Sequence, residues 1–162
     1  MNQLDLFVAT ALKSWQLQIS RATQTFDKLT DKQLYLEVAP GRNRVIYLLG
    51  HLTAAHDHLF PLLGLGDRLY PELERAFIRT PDRTVDPLPA PQVLRDAWRH
   101  VNAKLEEAFH QLPADAWLER HTQVSEDDFQ KEPHRNRINV LFSRIAHVGY
   151  HTGQIMLLHA NE

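Results

Sequence analysis

In Ala146-His147-Val148-Gly149-Tyr150-His151-Thr152-Gly153-Gln154-Ile155, two histidines stand four residues apart and a glutamine follows three residues later. On a helix, a four-residue step turns about 40° around the axis and rises about 6 Å. Both imidazoles then reach one point from the same side, and neutral imidazole is the commonest metal-binding side chain. The surrounding residues set the helix: Ile138, Leu141, Phe142, Ile145, Val148, Ile155, Met156 and Leu158 extend it from about Arg137 to His159. Their spread over most sides predicts a central helix. The line Val140, Arg144, His147, His151, Gln154, Leu158 is expected to face the interior. Gly149 and Gly153 fall on another face, where a missing side chain would let a neighbouring helix approach closely.

Three more segments carry helical periodicity. The first runs from about Leu4 to Phe26 through Val8, Ala11, Trp15, Ile19 and Ala22. The second is expected to start at Asn43 as N-cap, to carry Val45, Leu48, Leu49, Leu52, Ala55 and Leu59, and to stop near Pro61 or Gly64. The third spans Pro91 to Leu112, with proline at a favoured first position. A short helix through Leu73, Ala76 and Phe77 fits between Asp67 and Thr80. Four prolines in 81–91 predict an extended connection, and the polar stretch Pro113–Asn136 predicts a long loop of the kind that forms lids. No segment reads as a strand. The expectation is an all-α four-helix bundle, one domain over residues 1–162.

Composition narrows the function. With 43 % apolar and 23 % charged residues and a formal charge of −2, the chain lacks the basic face of a nucleic-acid binder. Cysteine is absent, which removes disulfides, thiolate metal sites and a cysteine nucleophile. No apolar run approaches a membrane span, and the start MNQLDLFVAT lacks a signal-peptide pattern, so a cytoplasmic location is expected.

His51, in Tyr47-Leu48-Leu49-Gly50-His51-Leu52, is the best third ligand for the pair at 147 and 151. Three imidazoles and one vacant position make an open, catalytic type of site. Gln154 would orient a ligand from behind, and Tyr150 with residues of the Pro113–Asn136 connection would shape the pocket. Buried histidines that only hydrogen-bond are the alternative. His58 lies about 10 Å along the axis from His51. His56 points away from it, His100 and His110 belong to a polar face, and His121 and His134 lie in the long connection, from which they could reach the pocket. Solvent exposure is expected for all of these and for His159. No HExxH, nucleophile elbow or phosphate loop is present, and no general base stands out; Asp57, Glu106 and Glu107 are the helical acids nearest the middle.

Asn43-Arg44-Val45-Ile46-Tyr47-Leu48-Leu49-Gly50-His51-Leu52 resembles the second-helix motif of the DinB-like superfamily, also described as YfiT-like metal-dependent hydrolases. The 146–155 stretch resembles its last-helix motif, HxxxHxGQ, and Leu29-Thr30-Asp31-Lys32-Gln33-Leu34 is similar in style. The resemblance implies an up-down-down-up four-helix bundle. It implies a divalent metal, nickel, zinc, iron or manganese, on His51, His147 and His151. Related enzymes are thiol-dependent S-transferases and a maleylpyruvate isomerase that use bacillithiol, mycothiol or glutathione. The resemblance therefore implies a small-molecule substrate and a low-molecular-weight thiol, with homodimerisation and without nucleic acid or membrane as partner. The rival expectation is a non-catalytic bundle serving metal binding, dimerisation or ligand sequestration.

Overall fold

The computed structural model describes residues 2–158, and among them it is all-helical. Helix α1 (Gln3–Lys28) starts at a capping box, in which Asn2 and Asp5 each accept the other's backbone N–H. A single turn, α2 (Asp31–Leu34), starts the same way with Thr30 and Gln33. Helix α3 (Val45–Asp57) leads through His58 into α4 (Leu59–Leu62). Gly64, at φ +70°, ends it: Leu65 N–H reaches Phe60 O and Gly64 N–H reaches Pro61 O. Helix α5 (Pro91–Gln111) has proline in its first turn. A short helix, α6 (Glu126–Lys131), precedes α7 (Arg137–Met156). The expected end of that helix at His159 lies outside the described residues.

Helix α1 packs along α7 and α3 along α5, while α1 also meets α5 and α3 meets α7. The buried side chains form two clusters. One joins Phe26, Leu34, Ile46, Leu49, Phe77, Trp98, Val148 and Ile155. The other joins Trp15, Leu59, Leu105, Phe109, Trp117, Ile138 and Leu141. Burying each such aliphatic side chain contributes about 1.5–3 kcal/mol. Arg95 ties α5 to the end of α1, donating to Leu29 O at 2.7 Å and to Asp31 at 2.6 Å, where a cation also suits the helix C-terminus.

Four expectations need correction. The N-cap of α3 is Arg44, not Asn43, and no side chain of its own caps the helix. Asp82 does that work from a distant loop, accepting the Arg44 backbone N–H at 2.8 Å and its guanidinium at 2.7 Å. Helix α7 is not central: Phe142 is 41 % and Met156 59 % exposed, and only the Ile138, Leu141, Val148, Thr152, Ile155 stripe is buried. The line through Arg144, His147, His151 and Gln154 is half-buried at the edge of that stripe. The 113–136 connection is built, not bare. It holds a 3-10 turn at Asp115–Leu118, buried Trp117 and Val124, helix α6 and a bridge between Arg120 and Asn136. Thr122 pins it to Pro61 and Leu62 carbonyls. Among the described residues no strand forms beyond two isolated bridges, and no helix is long and apolar enough to cross a membrane.

Candidate metal centre

Helix α3 brings His51, and α7 brings His147 and His151, to one point between the two helices. One ring nitrogen from each lies within 4.8 Å of the others. His147 Nε2 is 3.1 Å from His51 Nε2 and 3.0 Å from His151 Nε2. All three rings are half-buried.

The outer nitrogens fix which atom faces inward. His51 Nδ1 donates to Phe77 O at 2.8 Å; a carbonyl only accepts, so the proton sits on Nδ1 and the Nε2 lone pair is free. His151 Nδ1 donates to Gln154 Oε1 at 2.8 Å, with the same consequence. Two lone pairs thus point at His147 Nε2, which can donate to one at most. His147 Nδ1 is buried without a partner, so no neutral tautomer of that ring satisfies the cluster. A cation gives the three inward Nε2 lone pairs one shared partner, with the His147 proton then on Nδ1. Two nitrogens on one ion at about 2.0–2.1 Å stand about 2.8–3.4 Å apart between octahedral and tetrahedral geometry, a range that holds the 3.0 and 3.1 Å spacings here. Burial, then the neighbouring His151, His51 and Arg144, lowers the His147 pKa to about 4. Burial also lowers that of His151, against the raising effect of Gln154. Both rings are therefore neutral at neutral pH, as metal ligands must be.

The support around His51 reaches far along the chain. Phe77 lies in a π-helical turn, Arg75–Arg79, and its ring packs against Gly50. A β-carbon at position 50 would come within 2.3 Å of Phe77 Cε1. Gly50 therefore admits the residue whose carbonyl orients His51. Tyr47 lies parallel to the His51 ring and donates its hydroxyl to Thr80 O at 2.8 Å. The expected close approach at Gly149 and Gly153 is not found: a β-carbon at Gly149 would meet only the Gln18 side chain at 3.6 Å, and at Gly153 nothing within 4 Å. The close packing sits on α3.

Two cavities flank the rings. One, of about 400 Å³, is lined by His51, His147, Ala55, His58, Arg144 and Gln123, among others. The other, of about 560 Å³, lies beside His151, Gln154, Asn43 and Tyr150, whose ring is 64 % exposed.

The remaining histidines and acids divide differently from expectation. His56 is fully buried, 4.8 Å from Trp15 and 5.0 Å from Trp98 between ring centroids, and donates to Asn102 Oδ1 at 2.8 Å. His58 is half-buried, its Nε2 3.2 Å from Glu74 Oε2. His121 is half-buried too, whereas His100, His110 and His134 are exposed. Asp57 is fully buried and holds the chain after α4, accepting from Leu69 and Tyr70 N–H and from Arg68; Glu106 and Glu107 are exposed. Sequence reasoning gave no part to Phe77, Tyr47 or His58, while Gln123 comes from the 113–136 connection that was expected to help shape the pocket. Tyr47 and Gly50 stand inside the motif around His51, but nothing local marks Phe77, which the fold brings from 26 residues away.

The model of the DinB superfamily matches residues 14–155, and the chain belongs to that superfamily. Comparison with curated proteins finds no match.

Proposed function

We propose that this protein is a metal-dependent enzyme that binds a divalent ion, nickel, zinc, iron or manganese, on His51, His147 and His151, and activates a low-molecular-weight thiol or water. The observation that carries this is the inward convergence of three imidazole nitrogens, two with tautomers fixed by Phe77 and Gln154, beside a cavity of about 400 Å³. Bound there, a divalent ion favours deprotonation of a thiol or water. Three neutral ligands leave its charge undiminished. Phe77 O and Gln154 hold two rings in the tautomer that ligation needs. Ala55, Leu62 and Ile78 give the cavity its apolar wall. With no cysteine in the chain, a thiol nucleophile comes from a cosubstrate.

The S-transfer form is favoured over hydrolysis because, among the described residues, no carboxylate lines the cavity beside His51 and His147 to serve water as a base. In that form the thiolate sulfur attacks an electrophilic carbon. A carbon–sulfur bond forms, the leaving group departs with its electron pair, and the thiol proton passes to solvent. The same reading takes the chain as one domain with its long helices in up-down-down-up order, acting in the cytoplasm as a homodimer. Family membership supports the bundle.

The test is turnover of a haloarene and an epoxide by protein loaded with each of the four metals, with glutathione and 2-mercaptoethanol as thiols. Thiol-dependent release of halide from the haloarene or opening of the epoxide to a hydroxy thioether is expected, and His147→Ala should abolish both turnover and metal content while keeping the helical circular dichroism. Absence of thiol-dependent turnover with every metal, or full activity in His147→Ala, contradicts the proposal and favours a non-catalytic bundle.

A further inference from the structure

Arg144 stands three residues before His147 on the same face of α7 and lines the cavity that also exposes His51 and His147. Its Nε is buried without a hydrogen-bond partner, and among the described residues the guanidinium has no ion pair. The other arginines of comparable burial each hold a carboxylate: Arg44 with Asp82, Arg68 with Asp57, Arg95 with Asp31, Arg137 with Glu119. Burial acts alone on the Arg144 pKa, downward, with no acid to offset it. Among the described residues no aspartate or glutamate lines the cavity. Glu74, which lies against His58 of its wall, is engaged by Arg68 and Arg79. A half-buried cation held beside three metal-binding rings, with no counter-charge, is costly unless a ligand supplies one.

We propose that Arg144 binds the carboxylate of a small organic acid, whose apolar body lies on Ala55, Leu62 and Ile78 and whose reacting end is presented to the histidine triad. The planar fork of guanidinium matches a carboxylate in a two-bond contact. One cation suits a monoanion, whereas a phosphate dianion calls for more positive charge than the wall offers. Gln123, from the 113–136 connection, adds an amide to the same wall and suits a polar group on the ligand body. Arg144 and His147 lie one turn apart, which fixes the carboxylate a few ångströms from the reacting position. The proposal rests on the metal-enzyme reading for the reacting end alone; the anion contact belongs to Arg144 with or without metal.

Calorimetric titration of benzoate, benzamide and phosphate tests this on chelator-stripped and on zinc-loaded protein, in wild type, Arg144→Gln and Arg144→Lys. In stripped wild type, benzoate should bind at least tenfold tighter than benzamide or phosphate. Arg144→Gln should lose that preference and Arg144→Lys keep part of it, with ligand-free melting unchanged in Arg144→Lys and raised in Arg144→Gln, which sheds the unpaired charge. Equal benzoate affinity in wild type and Arg144→Gln overturns the proposal, as does phosphate binding as tight as benzoate. Benzoate binding only to zinc-loaded protein, regardless of residue 144, also overturns it, since the ion would then be the receptor. Failure of the stripped protein to take up zinc, with Arg144-dependent benzoate binding intact, would instead count against the metal reading and leave the anion site standing.

Discussion

At residue 50 the absence of a side chain decides how residue 51 is held. Gly50 lets the Phe77 ring lie against α3, and the same residue's carbonyl then takes the His51 Nδ1 proton. Alanine at 50 would collide with a ring that has no exposed surface and no free direction to move. Gly50→Ala is expected to cost about 1–3 kcal/mol in denaturant unfolding. Because it displaces the carbonyl behind a ligand, zinc affinity should fall about 10–100-fold. Gly153→Ala supplies the contrast: it meets nothing within 4 Å on a helix and should stabilise by about 0.5–1 kcal/mol without touching zinc affinity. Equal effects at the two positions would show that Phe77 does not orient His51. The three clustered histidines were legible in the sequence because a four-residue step names two of them and the separate motif around residue 51 names the third. The residues that aim two of them were not, since Phe77 reaches His51 only through the fold.

Among the elements, α3 joins the two buried clusters through His56, which lies between Trp15 of α1 and Trp98 of α5 and is bonded to Asn102. A histidine in an apolar stripe looks like a surface residue when read by type alone; three aromatic and amide partners from other helices make it a core residue. Burial lowers its pKa to about 3, with the Asn102 bond opposing. The unfolded chain, with an ordinary value of about 6.5, then binds more protons than the folded one between those two limits. Stability contributed by neutral His56 is complete above about pH 6.5, is lost as pH falls and levels off near 3. In metal-free protein, wild type minus His56→Asn should therefore show an unfolding free energy that declines with acid, by up to about 1.4 kcal/mol per pH unit. Urea melts at pH 7, 6, 5 and 4 read this directly; parallel curves for the two proteins would remove His56 as the acid-sensitive group. Helix limits show what periodicity captures. Helices α1, α5 and α7 begin within a residue or two of their expected starts, since caps and proline mark them locally. The start of α3 was misplaced because its cap comes from Asp82, and the 113–136 connection was read as bare because Trp117 and Val124 are too widely spaced to form a period.

For the whole molecule, the described histidines fall into separate environments that composition alone could not sort: a metal-shaped triad, a core bridge and a polar remainder. The two flanking cavities open the triad to ligands from both sides, and Arg144 gives one of them a charge that the protein leaves unanswered. The superfamily assignment rests on nearly the whole chain, yet the chemistry rests on whether the three rings share one ion. Anomalous diffraction at the zinc edge from crystals of zinc-loaded protein measures that most directly. One ion per chain is expected, at about 2.0–2.2 Å from Nε2 of His51, His147 and His151. A zinc peak elsewhere, or one that contacts the 147 and 151 rings while the ring of residue 51 stays turned away, would contradict the account.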